Sequence, residues 1–214
     1  MDDFLKALRD KHADFNQGEL NEQAEQTPFP LFERWYKEAY EAKELEPNAC
    51  SISTVSAEGK PSSRIVYLKE LVNETYVFYT NYESQKGKAL QLNPFASLLF
   101  FWPGLQRQVR VEGICQKVAD EVNDAYFLSR PRESQLGAWA SLQSQKIANR
   151  DVLSTRLLEF DKRFPDEVPR PPYWGGYQLQ PTLIEFWQGR PSRLHDRIVF
   201  ECEGERWIQS RKNP

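Results

Sequence analysis

Apolar residues change their spacing along the chain, and each change marks a new predicted element. Residues 2–15 set Phe4, Leu5, Leu8 and Phe15 on one side of a short amphipathic helix that Asp2 or Asp3 can cap. Residues 16–27 are polar and without period, which predicts a mobile arm. Beyond Pro28 and Pro30, Leu31, Phe32, Trp35, Tyr36, Ala39 and Tyr40 recur at helical spacing. The period then shortens. Residues 49–56 and 61–70 are β-branched and aromatic, and Ala57-Glu58-Gly59-Lys60 between them predicts a hairpin. Strands follow at 75–80, 96–102 and 107–118, with Pro103-Gly104 turning the chain between the last two.

Ser84 to Leu90 reads as a short helix that ends before Pro94. Helical patterns return at 120–130, 133–142 and 149–164, the last with Val152, Leu153, Leu157, Leu158 and Phe160 as its apolar face. A connector from Pro165 to Pro172 leads to strands near 175–188, 195–202 and 206–210. The strands neighbour one another in sequence and do not alternate with helices. The pattern therefore predicts a mainly antiparallel sheet or barrel with helices outside, and argues against a Rossmann fold. Residues 1–27 are expected as helix and arm, and residues 28–214 as a single domain.

Composition narrows the class. The 214 residues, 40% hydrophobic and 28% charged, suit one globular domain with a full core. Six Trp and thirteen Phe allow a flat-ring ligand, although an aromatic core accounts for most of them. A net charge of -3 argues against nucleic acid as the main partner, because phosphate-backbone binding needs a basic surface. Cys50, Cys115 and Cys202 are far apart in apolar runs and read as reduced core thiols. No apolar run approaches the ~18 residues of a membrane span, and the acidic N-terminus lacks a signal-peptide core. The expectation is a cytoplasmic protein without membrane or nucleic-acid partners.

Several polar clusters could carry chemistry. Arg193-Leu194-His195-Asp196-Arg197 follows the aromatic strand Glu185-Phe186-Trp187-Gln188-Gly189 and uses one of only two histidines. Two guanidiniums and an imidazole can hold an anionic or electron-rich ring; an exposed turn with surface ion pairs is an equal reading. Arg64 and Lys69 bracket a strand and, five apart, fall on opposite faces if it is regular. Thr80 and Lys86 flank a strand-to-helix junction that could cradle phosphate, a weak signal shared with any capped surface helix. Tyr126, Arg130 and Ser134 recur every four residues across a helix end and suit a phosphate monoester, or a dipole-completing Arg. Gln108, Gln143 and Ser144 add polar groups that decide nothing alone. No nucleophile elbow, Walker A, Gly-x-Gly-x-x-Gly or metal-spaced histidine set occurs, so an enzyme of this sequence would rely on an organic cofactor and no metal.

Taken together, these segments resemble the pyridoxine 5′-phosphate oxidase (pyridoxamine-phosphate oxidase) family. The resemblance runs through Ser63–Lys69, Phe78–Asn81, Arg107–Val109, Ser129–Trp139, Trp174–Tyr177 and Ile184–Arg197, in family order, from about residue 31 onward. Ser129-Arg130-Pro131-Arg132-Glu133-Ser134-Gln135 and Arg193-Leu194-His195-Asp196-Arg197 are its most specific parts.

The resemblance implies an FMN-binding split barrel, an antiparallel Greek-key-like barrel with peripheral helices. It implies a homodimer with FMN at the interface. Arg64 and Lys86 would hold the flavin phosphate, helped by Thr80 and by Ser144 of the partner subunit. The run Ile65, Val66, Tyr67, Leu68 and Lys69, with Tyr79, Gln108, Gln143, Trp187 and Arg197, would line the cofactor site. Lys69, Tyr126, Arg130 and Ser134 would bind the substrate phosphate. Arg193, Leu194 and His195 would cover the substrate pyridine, with Arg193 and His195 catalytic and Asp196 orienting His195.

The implied reaction oxidises pyridoxine or pyridoxamine 5′-phosphate to pyridoxal 5′-phosphate, with O2 reduced to H2O2. A split-barrel flavin reductase and a non-catalytic flavin or pyridoxal-phosphate binder are the alternatives. Two positions depart from the family's pattern. Gln85 stands where many members carry Arg beside the lysine, and Gly18–Gln23 lacks the arginine cluster some members carry, which weakens any expectation of a secondary product site.

Overall fold

The computed structural model describes Lys6 and residues 14–23 and 25–214. The helix predicted over 2–15 falls almost wholly outside them. The first helix described over its whole length, α1 (Phe29–Glu41), buries Phe29, Leu31, Phe32, Trp35 and Ala39, the stripe its helical period requires. Among the described residues nine strands follow: β1 (Ala49–Val55), β2 (Pro61–Tyr67), β3 (Glu70–Val72), β4 (Thr75–Asn81), β5 (Phe95–Trp102), β6 (Arg107–Lys117), β7 (Trp174–Gln188), β8 (Asp196–Glu203) and β9 (Arg206–Arg211), antiparallel in the pairs β1–β2, β3–β4, β4–β7, β7–β8 and β8–β9. Their order is β2-β1-β5-β6-β7-β4-β3, with β8 on β7 and β9 on β8. The remaining helices are α2 (Gln85–Leu92), α3 (Asp120–Ser129), α4 (Arg132–Ala140) and α5 (Asp151–Arg163). The antiparallel barrel-type sheet with outer helices is the expected class.

The chain divides into two compact units, one of residues 1–47, 99–111 and 183–214, the other of residues 48–98 and 112–182. In the first, Trp35 meets Phe186 edge-on at 5.4 Å and Phe32 meets Phe100 at 5.3 Å. Residues 16–23, expected as a mobile arm, are tied to this unit. Gln106 Oε1 accepts the Asn16 and Gln17 N–H groups, Asp196 accepts that of Leu20, and Leu20 is buried.

In the second unit, β4 is buried on nearly every residue and pairs with β7 from Tyr76↔Leu179 to Asn81↔Trp174. The β1–β2 hairpin closes through Ser56 and Lys60, with Gly59 at φ 76° where a side chain would be strained. The strand expected to run from 61 to 70 stops at Tyr67, so Lys69 lies in the link to β3 and not on a strand face. The apolar face of α5 is only partly covered, with Leu158 exposed and Phe160 packed on Trp139 and Phe164. No helix among the described residues is long and apolar enough to cross a membrane.

Candidate active site

The second unit gathers most of the predicted phosphate ligands. On β2, alternation turns Arg64 and Val66 inward while Ile65 and Tyr67 face out; Leu68, just past the strand, is buried. The Arg64 guanidinium donates to Thr54 Oγ1 at 2.9 Å, to Ser62 Oγ at 2.6 Å and to the Ser62 carbonyl at 3.0 Å. Helix α2 begins at an N-cap Ser84 whose hydroxyl accepts the Gly87 N–H, and its first turn buries Lys86. Lys86 Nζ donates to Thr80 Oγ1 and to Gln143 Oε1, each at 3.0 Å. Burial, followed by the charge of Arg64, pushes the Lys86 ammonium down to about 8. Two neighbouring cations whose partners are hydroxyls, carbonyls and an amide form a site that lacks only an anion. A phosphate would supply it, so these residues fit the FMN phosphate.

Beside this cluster lies a cavity of about 590 Å³. Its lining brings together Tyr67, Lys69, Tyr79, Thr80, Tyr126, Arg130, Ser134 and Gln143 from the predicted set. Pro131 breaks the chain between α3 and α4, which sets Arg130 at the C-cap of one helix and Ser134 in the first turn of the next. Arg130 Nη1 is buried and has no hydrogen-bond partner among the described residues. Its guanidinium lies 4.6 Å over the Trp174 ring. Tyr79 stacks on Tyr126 at 3.8 Å and on Trp174 at 5.4 Å. Burial raises the Tyr126 phenol, which keeps it a hydrogen-bond donor. An unsatisfied guanidinium edge, a Lys and two hydroxyls make a second anion site on an aromatic wall. Trp174 is the residue here that the sequence reading left without a role; its signal was an aromatic at the end of the proline-rich connector.

The first unit holds the remaining predicted residues except Ser144, which lies in the second. Arg193 and Leu194 are exposed, and both Ser192 and Arg193 take left-handed backbone, at φ 57° and 61°. The His195 ring lies 4.6 Å from Trp187, and Phe15 meets both edge-on. Nδ1 of His195 accepts the Arg190 N–H at 3.1 Å. Burial, then the Arg193 charge, lowers its pKa. Asp196, expected to orient His195, instead accepts from Leu20 N–H at 3.1 Å and Arg211 at 2.8 Å and pairs with Arg190, so it fastens the arm. Arg197 is held by Glu185. Gln108 sits half-buried near the start of β6, and Ser144, next to Gln143, is exposed with φ 70°.

Residues 36–163 match the profile of pyridoxamine 5′-phosphate oxidase, and residues 174–214 match the pyridoxine 5′-phosphate oxidase C-terminal dimerisation region. The chain belongs to the pyridoxamine 5′-phosphate oxidase family. That family is FMN-dependent. The pyridoxine/pyridoxamine 5′-phosphate oxidase of Bordetella pertussis is 52% identical over 210 residues, covering 97% of this chain and 100% of that one. The protein of the same name from Neisseria gonorrhoeae is 50% identical over 208 residues, covering 97% and 99%. Among solved structures, PhzG from Burkholderia lata 383, in complex with tetrahydrophenazine-1-carboxylic acid, aligns over 90% of this chain and 95% of that one at 29% identity and TM-score 0.85. A pyridoxamine 5′-phosphate oxidase-related, FMN-binding protein from Nostoc punctiforme shares the fold at TM-score 0.72 and 15% identity, over 89% of this chain and all of that one. The split-barrel fold of the family is therefore the fold of this chain.

Proposed function

We propose that the protein is an FMN-dependent oxidase that converts pyridoxine 5′-phosphate and pyridoxamine 5′-phosphate to pyridoxal 5′-phosphate. It works as a homodimer with FMN at the subunit interface, in the cytoplasm, with residues 28–214 as the FMN-binding domain and 1–27 as an appended arm. One observation carries the reading: two cation clusters without carboxylate partners among the described residues, one lining a cavity through Lys69 and Arg130 and the other bound to that cavity's wall at Thr80 and Gln143, suit a phosphorylated substrate beside a phosphorylated cofactor. Arg130, with its unpaired Nη1, belongs to the first; Lys86, fixed by Thr80 and Gln143, belongs to the second.

When bound, FMN would supply the two-electron acceptor for the hydride of substrate C4′; with the proton lost from the C4′ hydroxyl or amine, O2 would take up the pair as H2O2, and for the amine substrate water would enter and ammonia leave. The chain's own residues bind and orient. Arg64, Lys86 and Thr80, with Ser144 of the partner subunit, hold the cofactor phosphate. The Ile65–Lys69 run, Tyr79, Gln108, Gln143, Trp187 and Arg197 contact the rest of the cofactor. Lys69, Tyr126, Arg130 and Ser134 hold the substrate phosphate. Arg193, Leu194 and His195 meet the pyridine, and His195 presents a ring N–H to it. Alignment of this kind is what a hydride step asks of a protein.

The deciding experiment is an anaerobic spectrum of the purified protein before and after addition of pyridoxine 5′-phosphate. Bleaching of the yellow colour, with recovery and peroxide on admitting air, is the expected result. A yellow protein that stays oxidised with both substrates would overturn the oxidase in favour of a reductase or a flavin carrier.

A further inference from the structure

Glu185 is a buried carboxylate near the C-terminal end of β7, 3% exposed, in a strand otherwise carrying Ile184 and Phe186 into the core. Strand alternation puts Glu185 on the same face as Trp187, whose cross-strand partner on β8 is Arg197. Arg110 reaches the same face from β6, on the side of that strand that also carries Gln108. The two guanidiniums share the one carboxylate. Arg197 Nε donates to Oε1 at 3.1 Å and Arg197 Nη2 to Oε2 at 2.9 Å, while Arg110 Nη2 donates to Oε2 at 2.8 Å. The third edge of Arg197 is tied as well, through Nη1 to the Asn213 carbonyl at 3.0 Å.

We propose that Glu185 is a positioning residue for the cofactor site: its two-point contact fixes the plane of Arg197, so that this guanidinium meets FMN without first being ordered. The inference rests on the reading of Arg197 as a cofactor contact.

Stability alone does not explain the carboxylate. A buried ion pair gains little over well-packed apolar residues, because desolvation offsets the attraction. Two-point contact supplies direction instead, since a planar guanidinium held at Nε and Nη2 cannot rotate about its long side chain. Burial pushes the Glu185 carboxyl up, and the hydrogen bonds and charges of Arg197 and Arg110 more than offset it, so the group stays ionised at neutral pH.

The test is a double-mutant cycle read by FMN binding. Full-length dimer is stripped of flavin and titrated with FMN, and Kd is taken from the quenching of flavin fluorescence, for the wild type, Arg197→Ala, Glu185→Gln and the double variant. The Gln side chain keeps the shape but turns one acceptor into a donor facing a guanidinium. Glu185→Gln is expected to weaken FMN by about tenfold or more, the scale of a charge-assisted contact. Adding it to Arg197→Ala is expected to change Kd less than about twofold, since residues acting through one another are not additive. Wild-type affinity in folded Glu185→Gln overturns the proposal, and so does a Glu185→Gln effect repeated in full on the Arg197→Ala background. Unchanged affinity in Arg197→Ala alone removes the cofactor contact itself, which distinguishes failure of that reading from failure of this one. Glu185→Asp, which keeps the buried charge but is too short to span both guanidiniums, runs the same cycle if the Gln variant does not fold.

Discussion

Lys86 and Gln143 are joined by a 3.0 Å hydrogen bond across 57 residues of chain. The amide oxygen it uses also accepts from Thr80, at 3.2 Å, so strand, helix and the segment after α4 converge on one ammonium. That ammonium is held down to about 8 by burial and by Arg64. An added phosphate restores its proton affinity, so the complex binds more protons than the free protein above that pH. With Lys86 on the FMN phosphate, as proposed, FMN affinity is expected to be highest below about pH 8 and to fall as pH rises through it. Lys86→Met is expected to weaken FMN about tenfold or more and to flatten this pH dependence. Flavin titrations between neutral and alkaline pH check both.

Arg130 is poised for an anion it does not find within the described chain. Its buried Nη1 is unpaired, and Trp174 supports the guanidinium from one side. Arg130→Lys keeps the charge and loses the planar fork and the stacking surface. KM for pyridoxine 5′-phosphate is expected to rise about tenfold or more, with FMN content unchanged. Steady-state kinetics beside the flavin absorbance ratio separate the two sites. A loss of flavin would mean that Arg130 belongs to the cofactor.

Gly87, next to Lys86, allows α2 to lie directly on the preceding turn. A Cβ there would stand 2.2 Å from the Tyr82 carbonyl oxygen, which is backbone and cannot swing away. Gly87→Ala is expected to shift the helix start and destabilise the protein by about 1–3 kcal/mol, despite alanine's better helix propensity. Because Lys86 moves with the helix, FMN binding weakens too. Thermal melts and flavin titration of the one variant read both effects.

The long elements were legible because their apolar spacing is regular: α1 through Leu31, Phe32, Trp35 and Ala39, and the hairpin through its Gly59 turn. The meeting of Tyr126, Arg130 and Ser134 at one cavity was legible for the same reason, their spacing surviving a helix break at Pro131. Three other features left no local trace. β3 has only three residues, too few to show alternation. The tie of residues 16–23 runs from backbone N–H groups to Gln106 and Asp196, contacts that impose no pattern on the arm itself. Glu185 interrupts an apolar strand, and its meaning depends on Arg110 and Arg197 arriving from other strands. The contact between Lys86 and Gln143 is likewise a product of chain closure, which spacing does not encode.

His195 is fixed in one tautomer by its neighbour. Its Nδ1 accepts the Arg190 N–H, so the ring proton of the neutral form sits on Nε2, the only nitrogen left to face a ligand. Burial and the Arg193 charge depress its pKa, so the neutral ring persists to lower pH than an ordinary histidine. Protonation would place a second donor against Arg190 N–H and break that bond. The acid limb of kcat/KM due to this residue is expected below the ordinary histidine value of about 6.5. His195→Asn can still offer an oxygen to Arg190 N–H but has no group where Nε2 stood. It is expected to keep the flavin and the melting temperature while kcat falls by about a hundredfold. His195→Gln, which reaches further, is expected to retain more of kcat and to lose more stability. If Asn instead keeps full turnover, Nε2 has no part in the reaction and the Arg190 contact is the whole role of His195.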